Sequence, residues 1–517
     1  MSGETRVDVG MSSIARARAA TNSCWKEALS AHRLDATEAR TAFHDRVLDA
    51  VRAFLQDHAM AGKTGARDFN EFEEALHERM LEAEREILAD VMGASDVDAD
   101  AIEIEGKVHR RVLRSKQTYM TAAGEVQVER WLYKDRSDPT AHALAALDLR
   151  LGIVEGFWTQ RAASQASWVV TQMTPGQGAK LFARVGNMAP SKSSLDRLPK
   201  ALGERWESDR EGHEQVLREA MVIPERAASV AVSIDGVLVP IDGATSPTAV
   251  RADAAAQGRL SKGPAGYREV GCATLAFCDD KGDLLAAVRF GRGPEPKKLT
   301  LKDTLRRDLA HVLAGRPELK VAKIADAGGD NWEYLETLPQ GPEILYFFHA
   351  SEHLGDAIAA AHGDGTFATR HKFEFLRERL LTEDDGAAAV IAALAYLRKK
   401  HPRIAKLKTV LSYFRKNKKR MQYAKWKREG FMIGSGVVEA ACKTLVAQRL
   451  KLSGMRWGRD GAQAVLTMRG WDQSDRFDEA WALVAATYER EVHVLANVVD
   501  IKPKSPRAPR TKRLGSR

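Results

Sequence analysis

One apolar run limits what this chain can fold into more than any other part of it. Ala228 to Ile241, ASVAVSIDGVLVPI, is rich in β-branched residues and carries a single acid, Asp235, set among Val230, Val232, Ile234, Val237 and Val239. The pattern predicts a core strand, and a carboxylate on a core strand is costly unless something compensates it. The segments that follow extend the pattern. EVGCATLAFCD (Glu269 to Asp279) reads as a second strand, KGD (Lys281 to Asp283) as a hairpin turn, and LLAAVRF (Leu284 to Phe290) as a third strand. Leu299 to Gly315 has the period of an amphipathic helix. KVAKIAD (Lys320 to Asp326) is a fourth strand, NWEYLETL (Asn331 to Leu338) a short helix, and EILYFFH (Glu343 to His349) a fifth strand leading into a helix through Ala361. The order is β-β-β-α-β-α-β-α: a meander, then alternating units that need parallel neighbours.

That order predicts an α/β domain with a ribonuclease H-like core, in which the first and fourth strands are neighbours. Asp235 on the first and Asp326 at the end of the fourth would then lie together. Paired carboxylates repel and drive their pKa values apart. A divalent cation removes the conflict, and oxygen-only ligands favour Mg²⁺ or Mn²⁺. Each acid also has a plainer reading. Asp-Gly is a common hairpin pair, and Asp326 could cap the helix that follows it. A third carboxylate should come from a helix packed on the sheet. Glu439 is the candidate, in IGSGVVEAACKTLVAQRLKLSGMRW (Ile433 to Trp457), where Ser435 could cap a helix with Glu439, Cys442, Lys443 and Val446 on one face. An ordinary exposed Glu is the competing reading.

The rest of the chain sets the context. At 517 residues it needs about two to four domains. Residues 1–104 read as helical, 105–226 as a mixed and helical region, 227–361 as the first part of the core, 362–430 as a basic helical insertion, 431–500 as the completion of the core, and 501–517 as a basic disordered tail. The longest apolar run, Gly386 to Leu397, is twelve residues and too short to span a bilayer. No signal-peptide pattern opens the chain, so a cytoplasmic protein is expected. Four cysteines form no CxxC, which supports neither a zinc ribbon nor a disulfide framework.

The net charge of +9 is concentrated: seven Lys or Arg lie between Ile501 and Arg517 with no acid. Fourteen more lie between Arg398 and Gly430 against one Glu, with Tyr413, Phe414, Tyr423 and Trp426 among them. Such a block is either a solvated helix face or a phosphate-contacting surface. PSKSSLDRLPKAL (Pro190 to Leu202) is similar to the second half of a helix-turn-helix, though an ordinary capped helix explains the same residues. GKT (Gly62 to Thr64) lacks the upstream glycine of a P-loop, so ATP binding is not implied.

The segments SIDGVLV, ADAGGDNW, FFHASEHL and, above all, LSYFRKNKKRMQYAKWKREGFMIGSGVVEAACKTLVAQRLKLSGMRW resemble bacterial insertion-sequence transposases of the ISKra type, distantly related to Mutator-like elements. Leu411 to Trp457 carries the specific part of the likeness, and a weaker likeness covers about residues 105–480. The resemblance implies a DDE-type DNA transposase on a ribonuclease H-like fold, with a helical insertion domain filling the 113 residues between Asp326 and Glu439.

It also implies the site. Asp235, Asp326 and Glu439 would hold two Mg²⁺ or Mn²⁺ ions, Asp235 bridging both, for phosphoryl transfer. Ala327 stands where the family usually has Gly, which makes Asp330 a competitor for the second ligand. His349 matches a His that follows the fifth strand, with His353 a second candidate. Tyr346 occupies the place of an acid or Cys three residues earlier. A His at a strand end could equally satisfy a carbonyl. Lys443, Arg449 and Lys451 on the Glu439 helix, and Arg415, Lys418 and Arg420 in the basic block, are the expected DNA contacts; salt bridges within the fold are their ordinary alternative use.

The expected partners are double-stranded DNA, both terminal inverted repeats and target, and further copies of the chain assembled on that DNA, with no membrane. The expected setting is the bacterial cytoplasm, at the nucleoid. The rival readings are a non-catalytic DNA-binding repressor or structural protein derived from such an enzyme, and a ribonuclease H-like nuclease without joining activity.

Overall fold

The computed structural model describes residues 36–57, 65–138, 140–241, 266–434 and 436–495. The GKT segment, Cys24, Ser435 and the basic tail lie outside the described residues. The chain is mixed α/β with two five-stranded sheets and divides into two compact units, one built around residues 38–162 and 485–495, the other around 163–484. No helix among the described residues is long and apolar enough to cross a membrane.

In the first unit, helices α1 (Ala36–Asp57) and α2 (Ala66–Ala94) precede strands β1 (Ala101–Ile104), β2 (Lys107–Thr121), β3 (Gly124–Asp135) and β4 (Leu144–Ala145) and the short helix α3 (Ala146–Arg150). The strands are antiparallel neighbours in chain order, and His493–Val494 adds a fifth strand beside β1. Along its first half β3 alternates buried and exposed residues, as a half-buried sheet requires. Its buried Val126 and Val128 pack with Met92 of α2. The sheet begins at residue 101 and takes its fifth strand from His493–Val494, and the unit's main segment runs to residue 162.

The second unit opens with helices α4 (Gln160–Gln172), α5 (Pro175–Val185), α6 (Lys192–Ser208) and α7 (Arg210–Glu219). Thr174 and Gln177 form a capping box on α5, and the Ser191 hydroxyl accepts from the Ser194 N–H, 3.0 Å, at the start of α6. These are standard helix starts. Leu195, Leu198, Leu202 and Trp206 of α6 are all buried, so this helix serves the core along its length.

The second sheet is the one expected around Asp235. Its strands are β5 (Ser229–Pro240), β6 (Tyr267–Cys278), β7 (Leu284–Arg292), β8 (Lys320–Ala325) and β9 (Glu343–Leu345), in the spatial order β7-β6-β5-β8-β9. The first three pair antiparallel, and β5, β8 and β9 run parallel. At the β6–β7 turn, Asp279 Oδ1 accepts from the N–H groups of Lys281 and Asp283, and Gly282 has φ +85. The hairpin thus sits at KGD and not at Asp235-Gly236. There β5 runs straight through, with Asp235 opposite Cys272 and Gly236 opposite Gly271. A Cβ at 236 would fall 1.9 Å from Glu269 Oε1, so a side chain there would require the Glu269 side chain to shift.

Helices α8 (Leu299–Gly315) and α9 (Gly329–Leu335) flank β8, and α10 (Phe347–His362) follows β9. The fifth strand is shorter than EILYFFH suggests: it stops at Leu345, and Phe347, Phe348 and His349 already belong to α10. Beyond it the segment between 362 and 430 is helical, as α11 (Phe367–Thr382), α12 (Gly386–Lys400), α13 (Ala405–Asn417) and α14 (Tyr423–Arg428). The chain returns to the sheet with α15 (Gly436–Ala441), which continues through a π-helical turn, Cys442–Ala447, into Gln448–Leu450. Helix α16 (Arg459–Asp472) then packs on β7 and α6.

Candidate active site

The parallel strands bring the two acids level. The last paired positions of β5 and β8 are Ser233 and Ile324, so two residues further on Asp235 stands beside Asp326. Ala325 pairs with Leu345 of β9, and the Tyr346 N–H donates to the Ala325 carbonyl, 3.2 Å. Cys272, Asp235, Asp326 and Tyr346 consequently form a row across four adjacent strands. Residues level with each other in neighbouring strands project to the same face.

Burial pushes the Asp235 carboxyl above its usual range, and the Asp326 charge pushes it further. The Gly236 N–H, Lys298 and the Cys442 thiol pull it back down. The Gly236 N–H donates to Asp235 Oδ1, 2.7 Å, and the Cys442 thiol faces Oδ2 at 3.7 Å. Asp326 is held differently. Its Oδ1 accepts from the Gly328 N–H, 3.0 Å, and from Asn331 Nδ2, 3.2 Å, and its carbonyl accepts from the Trp332 indole, 2.6 Å. It is not the cap of α9, since Gly328 holds that place. Asp330 is exposed on the first turn of α9. Asp326, not Asp330, is the acid whose charge acts on Asp235.

Two phenols border the pair. Tyr346 is 4% exposed, its hydroxyl has no partner, and burial raises its pKa well above the ordinary value, helped by the charges of Asp235 and Asp326. The Tyr413 hydroxyl, from α13, is also buried without a partner; burial and then the Asp326 charge push it up. Neither tyrosine stands out in the sequence as a site residue. In the sequence Tyr346 is notable only for standing where the resembled family has an acid or Cys, and Tyr413 only as one aromatic of the basic block. Cys442 likewise meets Cys272 across the row; contact with Cys272 and then burial raise its thiol pKa.

Glu439 is exposed on the first turn of α15, which packs on β6, β5 and β7. It precedes Cys442 by three residues and so shares its helix face, the face that reaches Asp235. His349 is exposed on the first turn of α10, with Nδ1 3.5 Å from Glu352 and its ring 5.2 Å from that of His353. The His353 ring in turn packs 4.4 Å from Tyr413, and burial lowers its pKa.

The basic candidates separate into two groups. Lys443, Lys451, Arg415 and Lys418 are exposed. Arg420 instead pairs with Glu336 and Glu343, both at 2.9 Å, and lies 3.9 Å over the Trp332 ring. Arg449 is 2% exposed and donates from Nε to the Val170 carbonyl, 3.1 Å. Arg420 is committed to ion pairs within the fold, and Arg449 is buried in it, the alternative that the sequence left open for them.

The row suits a hard divalent cation in its donor chemistry: two oxygen donors side by side, one raised by burial, next to two phenols with unspent protons. Among the described residues, however, no group of three or more His, Cys, Asp and Glu side chains is arranged to hold a metal ion. Among the described residues, Asp235 and Asp326 are the carboxylates of the expected set that are brought together. Comparison with protein-family models and with curated proteins finds no match to this chain.

Proposed function

We propose that this chain is a DNA transposase of the DDE type, built on a ribonuclease H-like core, that cuts the ends of an insertion sequence and joins the freed 3′ ends to target DNA. The observation that carries the proposal is the level placement of Asp235 and Asp326 on adjacent parallel strands of a sheet ordered β7-β6-β5-β8-β9. The resemblance of Leu411 to Trp457 to ISKra-type transposases supports the same reading.

Asp235 and Asp326 would hold the cation, with Glu439 joining them from the α15 face that already touches Asp235 through Cys442. A bound Mg²⁺ or Mn²⁺ offsets paired negative charge and lowers the pKa of an attacking water or hydroxyl. The chain's own share is positioning. The Gly236 and Gly328 N–H groups and Asn331 fix one oxygen of each aspartate. Exposed Lys443, Lys451, Arg415 and Lys418 are available for DNA phosphates.

The test uses DNA from both flanks of the protein's own gene, with Mn²⁺ and either wild type or Glu439→Gln. Mapped 3′ ends and joined products should appear with the wild type alone. Joining by Glu439→Gln would remove Glu439 from the site. A second reading, a DNA-binding protein without catalysis, is favoured by the exposure of Glu439 and the grouping of only two carboxylates. It predicts specific binding by both proteins and cutting by neither. Cutting without joined products would instead identify a nuclease.

A further inference from the structure

The link from β7 to α8 holds its backbone in an uncommon state. Lys297 and Lys298 have φ +51 and +55, two successive residues in the left-handed region. There an L side chain crowds the following carbonyl oxygen, and only glycine adopts the conformation freely. Two lysines in a row persist in it only where their surroundings hold them. The holding contacts are present. Glu295 Oε1 accepts from the Leu301 N–H, 3.0 Å, across the turn. The Lys298 ammonium pairs with Glu269 at 2.8 Å, and its stem passes Gly271 of β6, where a Cβ would lie 3.5 Å from Lys298 Cγ.

The charges add a second cost. Lys298 is the N-cap of α8 and gives it no side-chain cap, and a cation at this end opposes the helix dipole. A third lysine, Lys302, lies on the first turns of α8. Burial and then the Lys298 charge lower its pKa, and Lys297 adds to them, against the pull of Asp330 and Glu333. Lys297 itself is exposed, and among the described residues no carboxylate pairs with its ammonium.

This cluster borders the candidate site at both acids. Gly271 stands opposite Gly236, next in register to Cys272 and Asp235, and the Lys298 charge acts on Asp235. Lys302 feels the charge of Asp330, on the helix that follows Asp326. Like charges crowded onto a strained turn at the edge of a candidate site call for a polyanion, which offsets their repulsion.

We infer that the Lys297–Lys298 turn is a DNA-contacting element of the proposed transposase site, in which Lys297 binds a backbone phosphate beside the cut and Lys298, paired with Glu269, fixes the turn. The inference rests on the proposed DNA chemistry and places the substrate strand along the α8 side of the acid pair.

Lys297→Gly separates strain from charge. Glycine accepts φ +51 without crowding but lacks the ammonium, so the full-length variant should unfold at or above the wild-type midpoint. It should nonetheless bind a short DNA duplex about fivefold more weakly at ~0.15 M salt, and the slope of log affinity against log salt should shrink by about 0.9, one phosphate contact. Lys297→Arg keeps the charge and should restore both. Single phosphates of the duplex are then neutralised in turn as methylphosphonates. The difference between wild type and Lys297→Gly should vanish at one phosphate, next to the cut mapped for the wild type.

Equal affinities and equal salt slopes for wild type and Lys297→Gly would overturn the inference and leave the catalytic reading standing. A contacted phosphate far from the cut would overturn it as well. Weakened binding by Lys297→Gly, with no cutting by the wild type, would support the contact and count against the catalytic reading. A wild type that binds no duplex would overturn both.

Discussion

Each unit buries a carboxylate beside its sheet, and the two are treated in opposite ways. In the first unit Asp148, on α3, accepts from the Tyr119 hydroxyl at 2.5 Å and meets Arg130 at 3.4 Å. Burial still raises its pKa, but both of these neighbours pull it down. In the second unit Asp235 has a backbone N–H and a thiol, among the described residues no cation pairs with it directly, and the charge of another acid outweighs the pull of Lys298. The nearby phenols, Tyr346 and Tyr413, keep their hydroxyls unpartnered instead of donating as Tyr119 does. The first arrangement is complete within the protein. The second carries a charge conflict and unspent donors together, the combination that a functional site shows and a structural one avoids.

The contrast can be broken at either carboxylate. The largest effect is expected in the first unit, where Arg130→Met leaves Asp148 buried without its cation. A loss of about 3 kcal/mol in denaturant unfolding is expected, and a loss well under ~1 kcal/mol would mean that Asp148 needs no cation.

At Asp235, removing the charge is expected to stabilise instead of destabilise. Its folded pKa is raised above the ordinary 3.8, so its contribution to stability is present below the unfolded value and is lost as pH rises through the folded one. Asp235→Asn does not titrate. Without divalent metal, the variant should therefore overtake the wild type as pH rises through that window, ending ahead by ~1 kcal/mol at neutral pH. Added Mg²⁺ should close the gap by stabilising only the wild type. A gap that ignores both pH and Mg²⁺ would place Asp235 with Asp148 as a structural acid.

The smallest effect is expected from Tyr346→Phe. Removing a hydroxyl that has no partner should change unfolding by under ~1 kcal/mol in either direction. A clear loss of stability would reveal a hidden hydrogen bond and make Tyr346 a counterpart of Tyr119.

The strand order around Asp235 was legible because each strand carries its own local pattern of β-branched residues between turn formers. The level pairing of Asp235 and Asp326 followed from that order. Other features have no local signature. The end of β9 is hidden because LYFF is apolar throughout, and a short apolar run does not distinguish strand from helix. The burial of Arg449 depends on Val170 and Trp457, and the stacking of Arg420 depends on Trp332; in sequence both look like surface charge. Tyr413 feels the Asp326 charge only because the helical segment 367–428 folds back on the core, an electrostatic effect between positions 87 residues apart. The first sheet was partly legible, but its edge strand at His493–Val494 comes from the far end of the chain and is too short to announce itself.

The π-helical turn at Cys442–Ala447 has a consequence for phase. A helix advances about 100° per residue, and a π turn holds one residue more than the α turn it replaces. Glu439 lies before that extra residue and Arg449 after it. Deleting one residue inside the turn would leave the carboxylate end facing the sheet while rotating Arg449 about 100° away from Val170 and Trp457. The length of this short segment is therefore a clutch between two ends of one helix, setting which side of the molecule each end addresses.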